Sequence, residues 1–492
     1  MKIHDAESVW REYRRGVAHN ETIGLYDTIE RNYNFLIGKQ WEGAAEPDVP
    51  KPVFNFIKRS VIYAVQSLVA SSMRLSVSFA GGGQDALEKA VNAEVADIFE
   101  RNDLVLMFED FLRNAAVRGS TCMVARWDAD AFNSRGTRGA IVAEIVENDR
   151  VFFGASASDD VEEQPYIIIA RREKLRDVRE TAFANGILPN AIRADAQKAE
   201  FAAERDDDEA CVTVLLRFYK DAETGTVWCV ETCRDAVLRG PWDTGLSRYP
   251  LIWMPWDAAR DSYQGQALIT SLIPNQIFVN KLFAMSMLSL MTTAHPKIIY
   301  DRTRISRWDN RVGAAIPMLG GDVNNVARVV EAAHLSPQVA QFIDLTIAYS
   351  QTLLGATPAA LGEVRPDNSS AIVALQKASA LPNELTRRRL YREVERFGRV
   401  LIDMLATYAG EVETDGKRVD LSVLKRYGAG LRLDVGSAAF WSEYSMVSTL
   451  DNLLTRGLID FVEYLERIPD AHLPNKHALL ERARGKKDNL AV

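Results

Sequence analysis

The chain has 492 residues, with 67 acidic and 59 basic side chains and a formal net charge of −8. A chain of this length exceeds what one simple hydrophobic core organises, so several subdomains are predicted. The acidic balance argues against a protein that wraps nucleic acid tightly, because neutralising phosphates needs an excess of lysine and arginine. The four cysteines are too few for a disulfide framework at this size, which indicates a reducing compartment.

Neither a secretory signal nor a membrane span is predicted. Residues 1–5 contain no apolar stretch of the kind that signal peptides carry. The most apolar uncharged stretch runs for 15 residues from Leu282 to Pro296, which falls short of the ~18–20 residues that cross a bilayer. We therefore expect no contact with a membrane.

In the first half of the chain, apolar residues recur at helical spacing in some stretches and alternate in shorter ones. Helices are predicted over residues 5–36, 55–71 and 86–116, the last broken at Asn102-Asp103, and two polar helices between 173 and 204. Strands are predicted over residues 76–80, 120–127, 140–147, 150–154 and 165–171, with a hairpin formed by 212–219 and 225–232. Residues 241–263, which are rich in Trp, Pro and Tyr, are predicted to be irregular.

The second half begins with a helix that is apolar nearly all round. It starts at Ala267 or Pro274 and ends at Thr293. A helix that is apolar on every side must be buried, so we expect it to pack against other helices or other subunits. A short strand at 297–300 and a compact insertion follow it.

A pair of helices joined by a loop is predicted next. The first covers residues 336–354, where Ser336 can cap the helix and Pro337 suits its first position. The second covers residues 370–410 and contains Pro382, which removes one helical hydrogen bond and predicts a kink. The chain closes with a strand or two within 418–434 and helices over 442–456, 460–467 and 474–485.

The longer helix of this pair carries a row of arginines. Arg388, Arg392, Arg396 and Arg399 are spaced three or four residues apart and share one face. Arg392 with Glu395, and Arg389 with Glu393, are expected to form ion pairs along the helix. A solvated or subunit-facing stripe of ion pairs is favoured over a contact with nucleic acid.

Motifs that carry catalysis or bind a cofactor are not found. The sequence has no nucleophile elbow, dinucleotide fingerprint or phosphate-binding loop, and its six histidines lack metal-ligand spacing. Cys229 and Cys233 lie four residues apart in a predicted strand, an unusual spacing for a zinc site. We therefore predict a non-enzymatic protein with no catalytic, cofactor-binding or metal-binding residues.

The order of several short motifs resembles that of tailed-bacteriophage portal proteins, the head-to-tail connector family. The motifs are Gln40-Trp41 followed by the Pro-Val-Phe-Asn segment 52–55, the strand segment 118–128, the segment 263–276 that leads into the apolar helix, and residues 355–362 followed by 368–371. Together they cover most of residues 40–410, and residues 411–492 carry no motif of this kind.

The resemblance implies an α+β, mainly helical subunit that assembles as a ring. Its regions would be a wing (1–264, with a peripheral part at 155–240), a first stem helix (265–294), a clip (295–334), a second stem helix (335–355), a tunnel loop (356–369), a kinked wing helix (370–410), a β segment (411–435) and a C-terminal helical crown (436–492).

The resemblance also supplies candidate site residues. Those of the tunnel loop, which would face DNA in the channel, are Pro358, Glu363, Arg365, Asp367 and Asn368. Those of the interface between subunits are Phe278, Phe283, Met287, Phe342, Arg388 and Arg392.

The function that the resemblance implies is that of the ring at one capsid vertex through which double-stranded genomic DNA is packaged and ejected. The implied partners are DNA held without sequence specificity, further copies of the chain in a dodecamer, the terminase large subunit, head-completion and tail adaptor proteins, the scaffold and the major capsid protein. The protein would be assembled in the host cytoplasm and would reside in the virion. Two alternatives stay open: a helical adaptor or scaffold of a virion without a DNA channel, and a metal-dependent nuclease.

Overall fold

The computed structural model describes residues 5–42, 49–69, 75–79, 85–133, 136, 138–195, 210–295, 297–309, 315–322, 325–329, 338–353, 383–414, 417–427, 431–434, 440–468, 476, 479, 480 and 482. These residues form an α+β fold, as the sequence predicts, in which helices pack against antiparallel sheets.

The longer helices are α1 (Ala6–Thr22), α2 (Leu25–Ile37), α3 (Phe56–Leu68), α4 (Asp85–Arg101), α5 (Leu104–Arg118), α6 (Leu175–Ala184), α7 (Leu268–Ala294), α8 (Gln338–Leu353), α9 (Glu384–Met404), α10 (Phe440–Thr455) and α11 (Phe461–Arg467). The strands are β1 (Ser76–Phe79), β2 (Ser120–Phe132), β3 (Arg138–Val146), β4 (Val151–Phe153), β5 (Ile167–Lys174), β6 (Cys211–Lys220), β7 (Val227–Thr232), β8 (Val237–Asp243), β9 (Leu251–Pro255), β10 (Ile298–Tyr300), β11 (Ala327–Val329), β12 (Glu411–Thr414), β13 (Lys417–Asp420) and β14 (Leu431–Asp434).

The first predicted helix is two helices in the structure. Asp5 caps α1, because its side chain accepts a hydrogen bond from the Ser8 N–H at 2.8 Å. Gly24, with a φ of 64°, separates α1 from α2 by adopting the left-handed conformation that costs glycine little. The predicted break after Asn102 is confirmed, since Asp103 has a φ of 48° between α4 and α5.

The two larger sheets of the described fold are antiparallel, and three two-stranded sheets accompany them. One of the larger sheets has the order β3-β2-β9 and the other β4-β5-β6-β7-β8. The predicted pairing of the strands around residues 120–147 is confirmed, with Val124 opposite Glu144. The predicted hairpin is confirmed as well, since Lys220 of β6 pairs with Val227 of β7.

The prediction that residues 241–263 are irregular is wrong for part of that segment, which contains the end of β8 and all of β9. All five residues of β9 are buried, so the strand is apolar on both faces and lacks the alternation that identifies a half-exposed strand. Trp253 of β9 is held in the core, where its indole N–H donates to the Tyr263 carbonyl at 3.0 Å. Of the two polar helices predicted between 173 and 204, α6 is one, and residues 196–204 lie outside the described part of the chain.

The main core forms where α3, α5 and α9 pack against β2 and β9. Phe108 lies at its centre and contacts Phe111 and Phe397 edge to face, with ring centroids 6.2 and 6.1 Å apart. Because Phe397 belongs to α9, this cluster joins a helix from the last quarter of the sequence to a helix from its first quarter.

The helix α1 packs against the five-stranded sheet at a separate, smaller core. Arg217 of β6 is buried there, with its guanidinium 2.6 Å from the Glu12 carboxylate and near the rings of Tyr166 and Tyr219. The carboxylate of Glu12 compensates the positive charge of Arg217, which would be costly to bury without a partner.

The last third of the chain is described in part. In the predicted helix over 370–410, α9 is present and the final residues 405–409 form a π-helix. The kink at Pro382 lies outside the described residues. Strands β13 and β14 match the strand or two predicted within 418–434, whereas β12 lies before that range and was not predicted from the residue pattern. Helices α10 and α11 match two predicted helices, and most of the third, 474–485, is outside the described residues.

Candidate subunit interface

The helix α7 has a buried half and an exposed half. It contains 27 residues, which gives a length of about 40 Å at ~1.5 Å per residue. Its buried side chains lie between Ile269 and Ala284. Beyond them large apolar side chains face solvent: Met285, Met287, Leu288, Leu290 and Met291. Contiguous exposed apolar surface of this kind marks a site of interaction.

By length and composition, α7 could also cross a membrane. Its most apolar 18-residue window has a mean hydropathy of 1.4, and 17% of that window is buried. The expectation of no membrane span rested on a stretch of 15 uncharged residues, whereas the helix continues on the N-terminal side of Lys281. Helices that pack against other proteins meet the same two criteria.

A network of buried side-chain amides fixes the root of α7 to the helical part of the fold. Gln276 donates to the Phe54 carbonyl at 2.8 Å and to the side-chain oxygen of Asn280 at 2.9 Å. Asn280 in turn donates to the side-chain oxygen of Gln40 at 2.6 Å. The sequence patterns did not predict this network, although the side-chain amides of Asn275, Gln276 and Asn280 within a mostly apolar helix were a signal for it.

The helix α8 runs antiparallel to α7 and packs against it. The side-chain amide of Asn275, near the start of α7, donates to the Ser350 hydroxyl near the end of α8 at 3.1 Å. At the other end of the two helices, β10 pairs with β11. The exposed apolar side chains of α8 recur three and four residues apart: Phe342, Leu345 and Tyr349. Both helices of the α7–α8 pair thus present apolar surface to solvent.

Of the four predicted interface residues on these helices, three are exposed. The exposed fractions are 47% for Phe278, 42% for Met287 and 54% for Phe342. Phe283 differs, because its ring stacks on Phe54 of the same subunit with centroids 4.0 Å apart. Part of the Phe283 surface is therefore occupied within the subunit.

The two predicted interface arginines lie on α9 and are largely exposed. The Arg388 side chain is 75% exposed and lies 3.2 Å from Glu384, and the Arg392 side chain is 54% exposed. The ion pairs predicted along this helix are not the ones the described residues form. Arg399 pairs with Glu395 at 2.8 Å, and Arg389 donates to the Trp256 carbonyl at 2.9 Å.

Burial of Glu393 explains the different pairing. Its side chain is only 1% exposed, and its Oε1 accepts from Arg392 at 3.1 Å and from Arg396 at 3.2 Å. Its Oε2 has no hydrogen-bond partner among the described residues. Burial outweighs both arginines and raises the pKa of Glu393 to about 7. Arg396 also reaches Asp160 at 3.1 Å and so ties α9 to the loop before β5.

The remaining predicted site residues are not placed by the structure. Pro358, Glu363, Arg365, Asp367 and Asn368 all lie outside the described residues. Within the part of the chain that is described, no group of three or more His, Cys, Asp or Glu side chains is arranged to hold a metal ion. Burial raises the pKa of the Cys229 thiol, which opposes the thiolate form that metals bind.

A family model described as phage P22-like portal protein matches residues 166–413, which is half of the chain. The chain belongs to the P22-like portal protein family. This confirms the resemblance drawn from the short motifs and makes the chain a phage portal protein of the head-to-tail connector type. The matched range contains α7, α8 and α9. No curated protein matches the chain.

Proposed function

We propose that this portal protein forms a closed ring at one capsid vertex and conducts double-stranded DNA during packaging and ejection. The observation that carries the proposal is the exposed apolar surface of the α7–α8 pair, on a chain of the portal family. A subunit that leaves such surface uncovered needs neighbours to bury it. A ring of head-to-tail contacts provides one neighbour for each face of the pair.

In this proposal α7 and α8 are the stem helices, and residues up to about 264 form the wing. Residues 295–334, which include the β10–β11 pair, are the clip that docks the terminase motor and later the head-completion and tail adaptor proteins. The loop 356–369 faces the channel and the C-terminal helices form the crown. Energy for DNA movement comes from the separate motor, and this chain hydrolyses nothing.

A packaging assay tests the conduction of DNA. Deleting residues 356–369 is expected to leave rings intact and to lower the amount of packaged DNA, because the loop is proposed to contact the duplex. Deleting residues 133–137, which lie between β2 and β3 in the chain, serves as the control and is expected to leave packaging normal. Normal packaging by rings that lack 356–369 would favour the reading of an adaptor without a DNA channel.

A further inference from the structure

Each helix of the α7–α8 pair carries a single charged side chain, and the two charges are opposite. Lys281 is the only charged residue in α7 and Asp344 is the only one in α8. Both side chains are exposed, and neither forms an ion pair within the described part of the subunit. A lone charge in an apolar contact surface is a known way to specify register.

The two charges lie at the same height along the helix pair. Asn275 and Ser350 are in contact at one level, and the helices run antiparallel from there. Lys281 follows Asn275 by six residues, and Asp344 precedes Ser350 by six residues. Both side chains therefore lie about 9 Å beyond that contact, in the same direction, at ~1.5 Å per residue.

The two charges face opposite sides of the pair. Six residues at about 100° each place Lys281 and Asp344 about 120° round from the faces where the two helices touch. Along one direction in space, side chains turn in the same sense around both right-handed helices. At the Asn275–Ser350 contact the two helices face each other, so the same turn brings Lys281 and Asp344 to opposite sides of the pair. This explains how two opposite charges at one height fail to pair within the subunit.

The apolar neighbours of the two charges differ in a complementary way. Lys281 shares its face of α7 with Phe278, Met285 and Leu288, which recur three and four residues apart. Asp344 shares its face of α8 with Ala340 and Ala348, both exposed and small. Bulky side chains on one surface can therefore pack against a surface of small ones.

We infer that Lys281 of each subunit pairs with Asp344 of the next subunit around the ring. The inference rests on the proposed ring and takes the α7–α8 pair to run along the ring axis. Rotation about that axis does not change height, so the two charges of adjacent copies meet at one level. The pair would fix the register of neighbouring helices, and its benefit is specificity of assembly.

Charge reversal tests the pairing. In Lys281→Glu rings and in Asp344→Lys rings, like charges would face each other at every interface. We expect each variant to show at least about tenfold fewer rings than the parent chain, by electron microscopy and native mass, since like charges across an interface strongly disfavour it. Arg176→Glu on the exposed face of α6, whose side chain is 79% exposed, is the control and should assemble normally.

Mixing the two variants is the decisive arm. In an alternating ring, the glutamate introduced at position 281 faces the lysine introduced at position 344, and the native Lys281 faces the native Asp344. The equimolar mixture and the double variant K281E/D344K are both expected to recover rings. Circular dichroism and thermal unfolding of each subunit check that the variants fold.

The outcomes separate this inference from the proposed function. If the parent chain forms rings and both single variants assemble as well as it does, the pairing is wrong and the ring stands. If folded single variants lose rings but neither the mixture nor the double variant recovers them, the positions matter for packing and the pairing is also wrong. If the parent chain forms no ring under any condition, the proposed function fails, and the inference fails with it.

Discussion

Replacing Glu393 with glutamine is expected to stabilise the subunit above neutral pH. The carboxylate is 1% exposed, and only one of its two oxygens has hydrogen-bond partners among the described residues. Burial destabilises the charged carboxylate more than Arg392 and Arg396 stabilise it, and this raises the pKa of Glu393 to about 7. Glutamine keeps one acceptor for the arginines and removes the buried negative charge.

The sign and size of the effect follow from the pKa. The folded state holds a proton on Glu393 up to a pH of about 7, whereas the unfolded chain releases it near 4.5. Stability therefore falls as the pH rises between these values and is level above 7. The full loss is about 3 kcal/mol at ~1.36 kcal/mol per pKa unit. The variant avoids this loss, but its unpaired amide N–H₂ costs roughly 1 kcal/mol. We therefore expect the variant to be more stable than the parent by about 2 kcal/mol at pH 8.

Urea unfolding of the unassembled subunit at pH 5, 6, 7 and 8 measures this directly. The parent chain should lose stability from pH 5 to about pH 7 and then level off. Glu393→Gln should flatten that dependence, with the two chains converging near pH 5. Glu395→Gln is the matched control, because it removes a negative charge two residues further along the same helix. The Glu395 side chain is 39% exposed and pairs with Arg399. Its effect should stay within about 1 kcal/mol, as is usual for exposed ion pairs.

Two results would refute the reasoning about Glu393. One is a glutamine variant that is less stable than the parent at pH 8, which would mean that the two arginines outweigh burial. The other is an equal gain in the Glu395→Gln control, which would mean that net charge rather than burial sets the effect.

Two substitutions test the packing of the fold. Gly119→Ala should destabilise the subunit by more than about 2 kcal/mol in the same urea titration. Gly119 has a φ of 93°, and an added Cβ would lie 2.4 Å from the Gly265 carbonyl oxygen. Gly136→Ala is the control and should cost clearly less, because Gly136 has a φ of 74° but open space around it. Asn280→Ala leaves the side-chain oxygen of Gln40 without its donor and should cost roughly 1–3 kcal/mol. We expect the loss to appear as faster amide hydrogen exchange in the first half of α7, and unchanged exchange there would contradict the role given to the network.

Sequence patterns predicted the elements that their own residues define. The helix from Leu268 to Ala294 is apolar nearly all round, so its existence needed no knowledge of its neighbours. The break near Asp103 and the β6–β7 hairpin follow from local turn chemistry in the same way. These features depend on the chain near them and can be found without tertiary structure.

Features that depend on which face is buried could not be predicted. Strand β9 is buried on both faces and carries no period of two. The partners of the α9 arginines depend on the burial of Glu393, which spacing along the helix does not show. The opposite placement of Lys281 and Asp344 likewise depends on the antiparallel contact between α7 and α8, so it became visible only with the fold.

Electron microscopy of the purified chain, with its native mass determined alongside, tests the central claim most directly. The account predicts a closed ring with a central channel wide enough for a DNA duplex, and a mass that is a whole multiple of the 54.9 kDa subunit. A monomer or a twofold dimer that persists at high subunit concentration, across salt conditions and with the scaffold and capsid proteins present, would contradict it.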